Sequence, residues 1–179
     1  MAAFAGELET ARLLIVGEEL DASTRSTCAK SPLMMAILPY PEAPDTPPAD
    51  ARARRLEKLD AAGLFLTRCF QIGAADQQGR TALHVAVEAR EPDHRVNRLI
   101  KRMLECGVSP DPQTNEGVTP LMLAVQAKRT GVARLLLEEG ADLNLPSNAG
   151  KTALQLAEES GDRTLPVTLR KIRRRDAGL

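Results

Sequence analysis

Gly117-Val-Thr-Pro-Leu-Met-Leu-Ala124 decides how this chain reads, because close versions of it occur on both sides. Gly79-Arg-Thr-Ala-Leu-His-Val-Ala86 precedes it and Gly150-Lys-Thr-Ala-Leu-Gln-Leu-Ala157 follows it. From Thr119 to Thr152 is 33 residues; from Thr81 to Thr119 is 38, the same step with five residues inserted. A second element keeps this register. Met103-Leu-Glu-Cys-Gly107 matches Leu136-Leu-Glu-Glu-Gly140, and ten residues separate Gly107 from Gly117 and Gly140 from Gly150. Two motifs in one register define a repeat array.

Each unit has a physical reading. Thr119 and Thr152 can cap a helix N-terminus through the hydroxyl, and Pro120 suits the first helical position, where no N–H partner is lost. Leu121, Leu123 and Ala124 open a short apolar helix. A second helix follows, with Val132, Leu135 and Leu136 on one face. Gly140 ends it in the positive-φ conformation that glycine adopts without strain. Ala141 to Ala149 carries the chain back to the next unit. A single unit leaves an apolar face open, so units must stack.

The pattern resembles the ankyrin repeat family, whose unit reads roughly D-x-x-G-x-T-P-L-H-x-A and then V-x-L-L-L-x-x-G-A-D-V-N. Residues 114–146 carry the likeness best, through Gly117, Thr119, Pro120, Leu121, Ala124, Leu135 to Leu137, Gly140-Ala-Asp142 and Asn144. Residues 76–113 carry it through Asp76, Gly79, Thr81, Leu83, His84, Ala86 and Gly107, and 147–175 form a third clear unit. The resemblance implies a mainly α solenoid of antiparallel helix pairs joined by hairpin loops, with a role in binding other proteins. It also implies a concave face made by hairpin tips and the inner side of each first helix. By position, the candidate partner contacts are Gln77, Gln78, Arg80 and Glu88; Asn115, Glu116, Val118 and Gln126; and Asn148, Lys151 and Glu159. His84 stands at the family's histidine position, which implies an interloop hydrogen bond; Met34, Met122 and Gln155 occupy the equivalent positions.

The first half blurs the pattern, within what reads as one repeat domain over 1–179. Residues 1–25 look like the end of a unit, and 26–75 like a degenerate one. Lys30-Ser-Pro-Leu-Met-Met-Ala36 echoes the opening motif. Pro39 to Pro48 holds five of the chain's twelve prolines, which no helix survives, so 39–50 reads as an inserted extended loop. Leu56, Leu59, Gly63, Leu66 and Phe70 then predict a long helix over about 51–70. Gly73 to Gly79 is a shortened hairpin. The insertion near Glu91-Pro-Asp-His-Arg95 predicts a second surface loop, between the two helices of its unit.

Composition narrows function. The 179 residues carry 24 basic and 24 acidic side chains and four aromatics. Zero net charge and so few rings argue against nucleic-acid binding. The longest apolar stretch, Leu33 to Leu38, is far short of the roughly 20 residues of a membrane span. No basic flank or apolar core marks a signal at Met1, and Cys28, Cys69 and Cys106 are odd in number and scattered, which suits a reducing cytoplasm. Leu169-Arg-Lys-Ile-Arg-Arg-Arg175 holds five of the basic residues. It reads as a charged cap on the stack, with a nuclear-import patch as the alternative.

Sites for chemistry are sparse. Gly150-Lys151-Thr152 ends like a P-loop, yet Leu145 stands where that loop needs glycine. His84 and His94 lack the spacing of metal ligands, and Cys69 and Cys106 read as small buried side chains. The expected molecule is a non-enzymatic, monomeric adaptor that needs no cofactor or metal and binds a partner protein. A stand-alone inhibitor of an enzyme or toxin is the narrower alternative, and a cysteine hydrolase a remote third.

Overall fold

The computed structural model describes residues 32–37, 72–89, 92–160 and 164–176. The long helix expected over 51–70, the proline-rich insertion and the half-unit at the N-terminus lie outside these residues. Seven helices are described: α1 (Pro32–Ile37), α2 (Ala82–Glu88), α3 (Asp93–Glu105), α4 (Pro120–Gln126), α5 (Thr130–Glu138), α6 (Ala153–Glu159) and α7 (Thr164–Asp176). No strand occurs among the described residues.

Threonine is the N-cap of α2, α4 and α6, as the motif predicts. Met122 N–H donates to Thr119 Oγ1 at 3.3 Å, with Pro120 in the first helical turn. At α6 the exchange is reciprocal: Gln155 N–H donates to Thr152 Oγ1 at 3.3 Å, and Thr152 N–H to Gln155 Oε1 at 2.9 Å. Both bonds satisfy amides that a helix start leaves open. Ala82 to Val87 are all buried in α2, and Pro120, Leu121, Met122, Ala124 and Val125 in α4, whereas α6 buries only Ala153 and Ala157. Small alanines on these faces let neighbouring helices approach.

The second helices are amphipathic. Val96, Leu99, Ile100 and Met103 of α3 face inward, while Arg98, Lys101 and Arg102 are exposed. In α5 the buried set is Val132, Ala133, Leu136 and Leu137. Leu135, expected on that face, is only half-buried and packs at its margin.

Helix packing builds two rows. α1, α2, α4 and α6 adjoin in sequence along one, and α3, α5 and α7 along the other, with each pair closed by contacts between its own helices. One apolar cluster runs through the described stack from Leu33 to Leu169. Fully burying a Leu or Val side chain stabilises by about 1.5–3 kcal/mol, so a face left open by one unit is covered by the next.

The five-residue insertion does not form the expected surface loop. α3 has 13 residues where α5 has nine, so four inserted residues lengthen the helix and one extends its connection. Pro92 precedes the first turn, where its missing N–H costs nothing, and its carbonyl accepts from Arg95 N–H at 3.0 Å and Val96 N–H at 3.3 Å. Asp93 adds a favourable negative charge at that end. Gly107 and Gly140 lie at φ 83° and 91°, whereas Gly73 is not in the positive-φ region.

Candidate functional site

Hairpins between helix pairs form one edge of the stack. Two of them open with a short polar residue that organises its own turn. Asp76 Oδ1 accepts from Gln78 N–H at 3.0 Å and Arg80 N–H at 2.9 Å. Thr114 Oγ1 repeats this with Glu116 N–H at 3.3 Å and Val118 N–H at 3.1 Å. The turn residue's side chain thus substitutes for backbone acceptors.

Adjacent hairpins are then laced together. Asn115 N–H donates to the Gln78 carbonyl at 2.9 Å and its side-chain amide to Gln77 at 2.8 Å. One unit on, Asn148 N–H donates to the Glu116 carbonyl at 3.0 Å and its amide to Asn115 at 2.9 Å. The space this needs comes from glycine. A Cβ on Gly117, at φ 74°, would stand 2.7 Å from Asn148 N, and one on Gly79 would stand 2.7 Å from Asn115 N. Asn115 and Asn148, expected as partner contacts, therefore commit their amide donors to the scaffold.

His84 adds a rung. Thr81 N–H donates to its Nδ1 at 3.1 Å, so the ring proton resides on Nε2, which donates to the Val118 carbonyl at 3.0 Å. Burial lowers the His84 pKa below its ordinary value; the Val118 carbonyl opposes that shift, and nearby Arg80 reinforces it. This is the interloop bond that the motif implied.

The inner face carries charge in matched pairs. Arg80 bridges the buried Asp76 carboxylate at 3.0 Å and reaches Glu88 at 3.5 Å. Lys151 pairs with Glu159 at 2.6 Å, the same eight-residue relation in the last unit. In the middle unit those two positions hold Val118 and Gln126, so no ion pair forms there. An open groove of about 660 Å³ lies at this place, lined among others by Val118, Met122, Gln126 and Leu156. Of the eleven expected contacts, Asn115, Glu116, Val118, Gln126, Asn148 and Lys151 line it. Gln77, Gln78, Arg80, Glu88 and Glu159 do not.

Met122 and Leu156 are lining residues that motif reading missed. Met122 is nearly fully buried and reads as core from its position. Its place equals that of His84, and a thioether cannot bridge to the next hairpin as the ring does. Only that comparison of equivalent positions marks it as groove floor.

Among the described residues, no helix is long and apolar enough to cross a membrane. Cys106 is half-buried at the end of α3, and Cys69 lies outside the described residues.

Comparison with known proteins agrees with this architecture. Residues 103–157 match the family model for ankyrin repeats in many copies. Protein fem-1 homolog A of Bos taurus is 33% identical over 100 residues, covering 51% of this chain and 15% of that protein. The Neurogenic locus Notch protein of Drosophila melanogaster is 33% identical over 147 residues, covering 79% of this chain and 5% of its own length. Neurogenic locus notch homolog protein 1 of Danio rerio is 32% identical over 119 residues, 66% of this chain and 5% of that one. The chain is an ankyrin-repeat protein, and it spans only a small part of the curated relatives it matches.

Proposed function

We propose that this chain is a non-enzymatic interaction module that binds a partner protein through its concave face, acting as a cytoplasmic monomer. The observation that carries this reading is the groove at the middle unit, where half-buried Val118 and Leu156 and buried Met122 lie between polar hairpin residues and flanking ion pairs. An apolar centre with a polar rim is the usual anatomy of a protein contact surface. Rigidity supports it too: hairpins laced through Asn115, Asn148 and His84 lose little freedom on binding. Polar contacts of mixed sign suit a protein surface better than nucleic acid.

The test compares proteins recovered from the native source by the wild-type chain and by Gln126→Arg, an exposed change with no scaffold role. A stoichiometric partner held by the wild type and lost by the variant supports the reading; equal recovery moves the site off the concave face. A single enzyme held at nanomolar affinity would mark the chain as an inhibitor, and several weaker partners as an adaptor. Arg80 is a poor probe, because reversing it would strand the buried Asp76 carboxylate.

A further inference from the structure

Resting on that concave-face reading, the charges around the groove narrow what it can hold. The two basic side chains of this face are already satisfied. Arg80 is bound by Asp76 and Glu88, and Lys151 by Glu159. Neither is open to an acidic partner without breaking an existing pair. Glu116 differs: it is exposed, lines the groove and forms no ion pair among the described residues. It stands two residues from Val118, so one uncompensated carboxylate adjoins the apolar floor. The Val118 backbone is fixed from below by His84 Nε2.

We propose that the groove takes an extended segment of a partner protein presenting an aliphatic side chain (Val, Leu or Ile) next to a Lys or Arg. The aliphatic group covers Val118 and Leu156, beside the buried Met122, displacing water from apolar surface that the fold leaves partly open. The neighbouring cation meets Glu116. Acidic segments are disfavoured because Glu116 confronts them while Lys151, the cation that lines the groove, is already paired with Glu159. Specificity thus comes from replacing the ion pair of the flanking units by Val118 and Gln126 in the middle one.

The experiment pans a display library of random linear peptides against the whole chain and titrates enriched peptides calorimetrically in low and high salt. The expected peptides carry an aliphatic residue beside a basic one. Val118→Glu should weaken them by about tenfold or more, as loss of one buried aliphatic contact implies. Glu116→Gln should weaken them about two- to fivefold, in low salt only, as for an exposed ion pair. Circular dichroism checks that each variant folds, and Gln126→Arg is a second groove variant should Val118→Glu not fold. Acidic peptides that groove variants still weaken would overturn this ligand chemistry and leave the concave-face reading standing. Peptides indifferent to both groove variants would overturn both. Failure to enrich any peptide would overturn the linear segment as occupant.

Discussion

His84 has both ring nitrogens committed, one accepting from Thr81 and the other donating to Val118. Protonation would put a proton on Nδ1, where it already accepts, and a charge where burial excludes water. Its folded-state pKa is lowered, so the unfolded chain takes up the proton first as acid is added. The His84 contribution is complete above its ordinary value and is lost as pH falls below about 6.5, with a slope of at most about 1.4 kcal/mol per pH unit. His84→Gln should keep the cap, because Gln155 makes the same bond to Thr152 through its amide oxygen. Urea unfolding from pH 7.5 to 5 should show a flatter profile for that variant; an unchanged slope would remove His84 as its source. Asp111 works in the opposite sense. Its carboxylate accepts from Asp142 N–H at 2.8 Å, and burial together with the Asp142 charge raises its pKa.

At the scale of elements, one side chain ties the first two clear pairs together in addition to the hairpin ladder and the core. Arg129, just before α5, donates from Nη1 to the carbonyls of Val87 at 2.9 Å and Ala89 at 2.7 Å. Those are carbonyls at the end of α2, where the helix supplies no N–H donor. Its Nε donates to Asp93 Oδ1 at 2.9 Å, at the start of α3. The lengthened α3 supplies that carboxylate, so the insertion is tied to the next unit. Arg129→Ala should destabilise by about 2 kcal/mol by stranding partly buried partners. Arg129→Lys should recover little, since a single ammonium cannot span three acceptors. Thermal unfolding checks both, and full rescue by lysine would reduce the contact to simple charge. Spacing alone located this insertion but could not say that it would be helical. That outcome depended on Pro92 at the helix start and on Arg129 arriving from 36 residues away.

Across the whole molecule, equivalent positions show how the stack closes. Val125 and Leu137 are buried in the middle unit. One 33-residue step later the same positions hold Glu158 and Arg170, both exposed and paired with each other. This ion pair gives the last described unit a polar outer face. Replacing both, as Glu158→Val with Arg170→Leu, should create an apolar end that self-associates. Light scattering coupled to size exclusion should then report a larger mass for the double variant; an unchanged mass would deny that these residues guard the end. The basic run on α7 was visible in the sequence, but the pairing of its Arg170 with Glu158 on α6 was not.

The sequence by itself determined the repeat, its 33-residue step, its threonine caps and the glycines at φ 74–91°. These are local requirements of backbone conformation and periodicity, and neighbouring residues reveal them. Only the tertiary structure decided which inner-face residues are free to act. Asn115 and Asn148 are absorbed into the hairpin ladder, Arg80 and Lys151 into ion pairs, and Met122 becomes groove floor. The ion pairs depend on how a unit's hairpin folds against its own first helix, and the ladder on what an adjacent unit, 33 to 38 residues away, places opposite each side chain. A short motif carries no information about that opposing surface, because it arises only when the units stack.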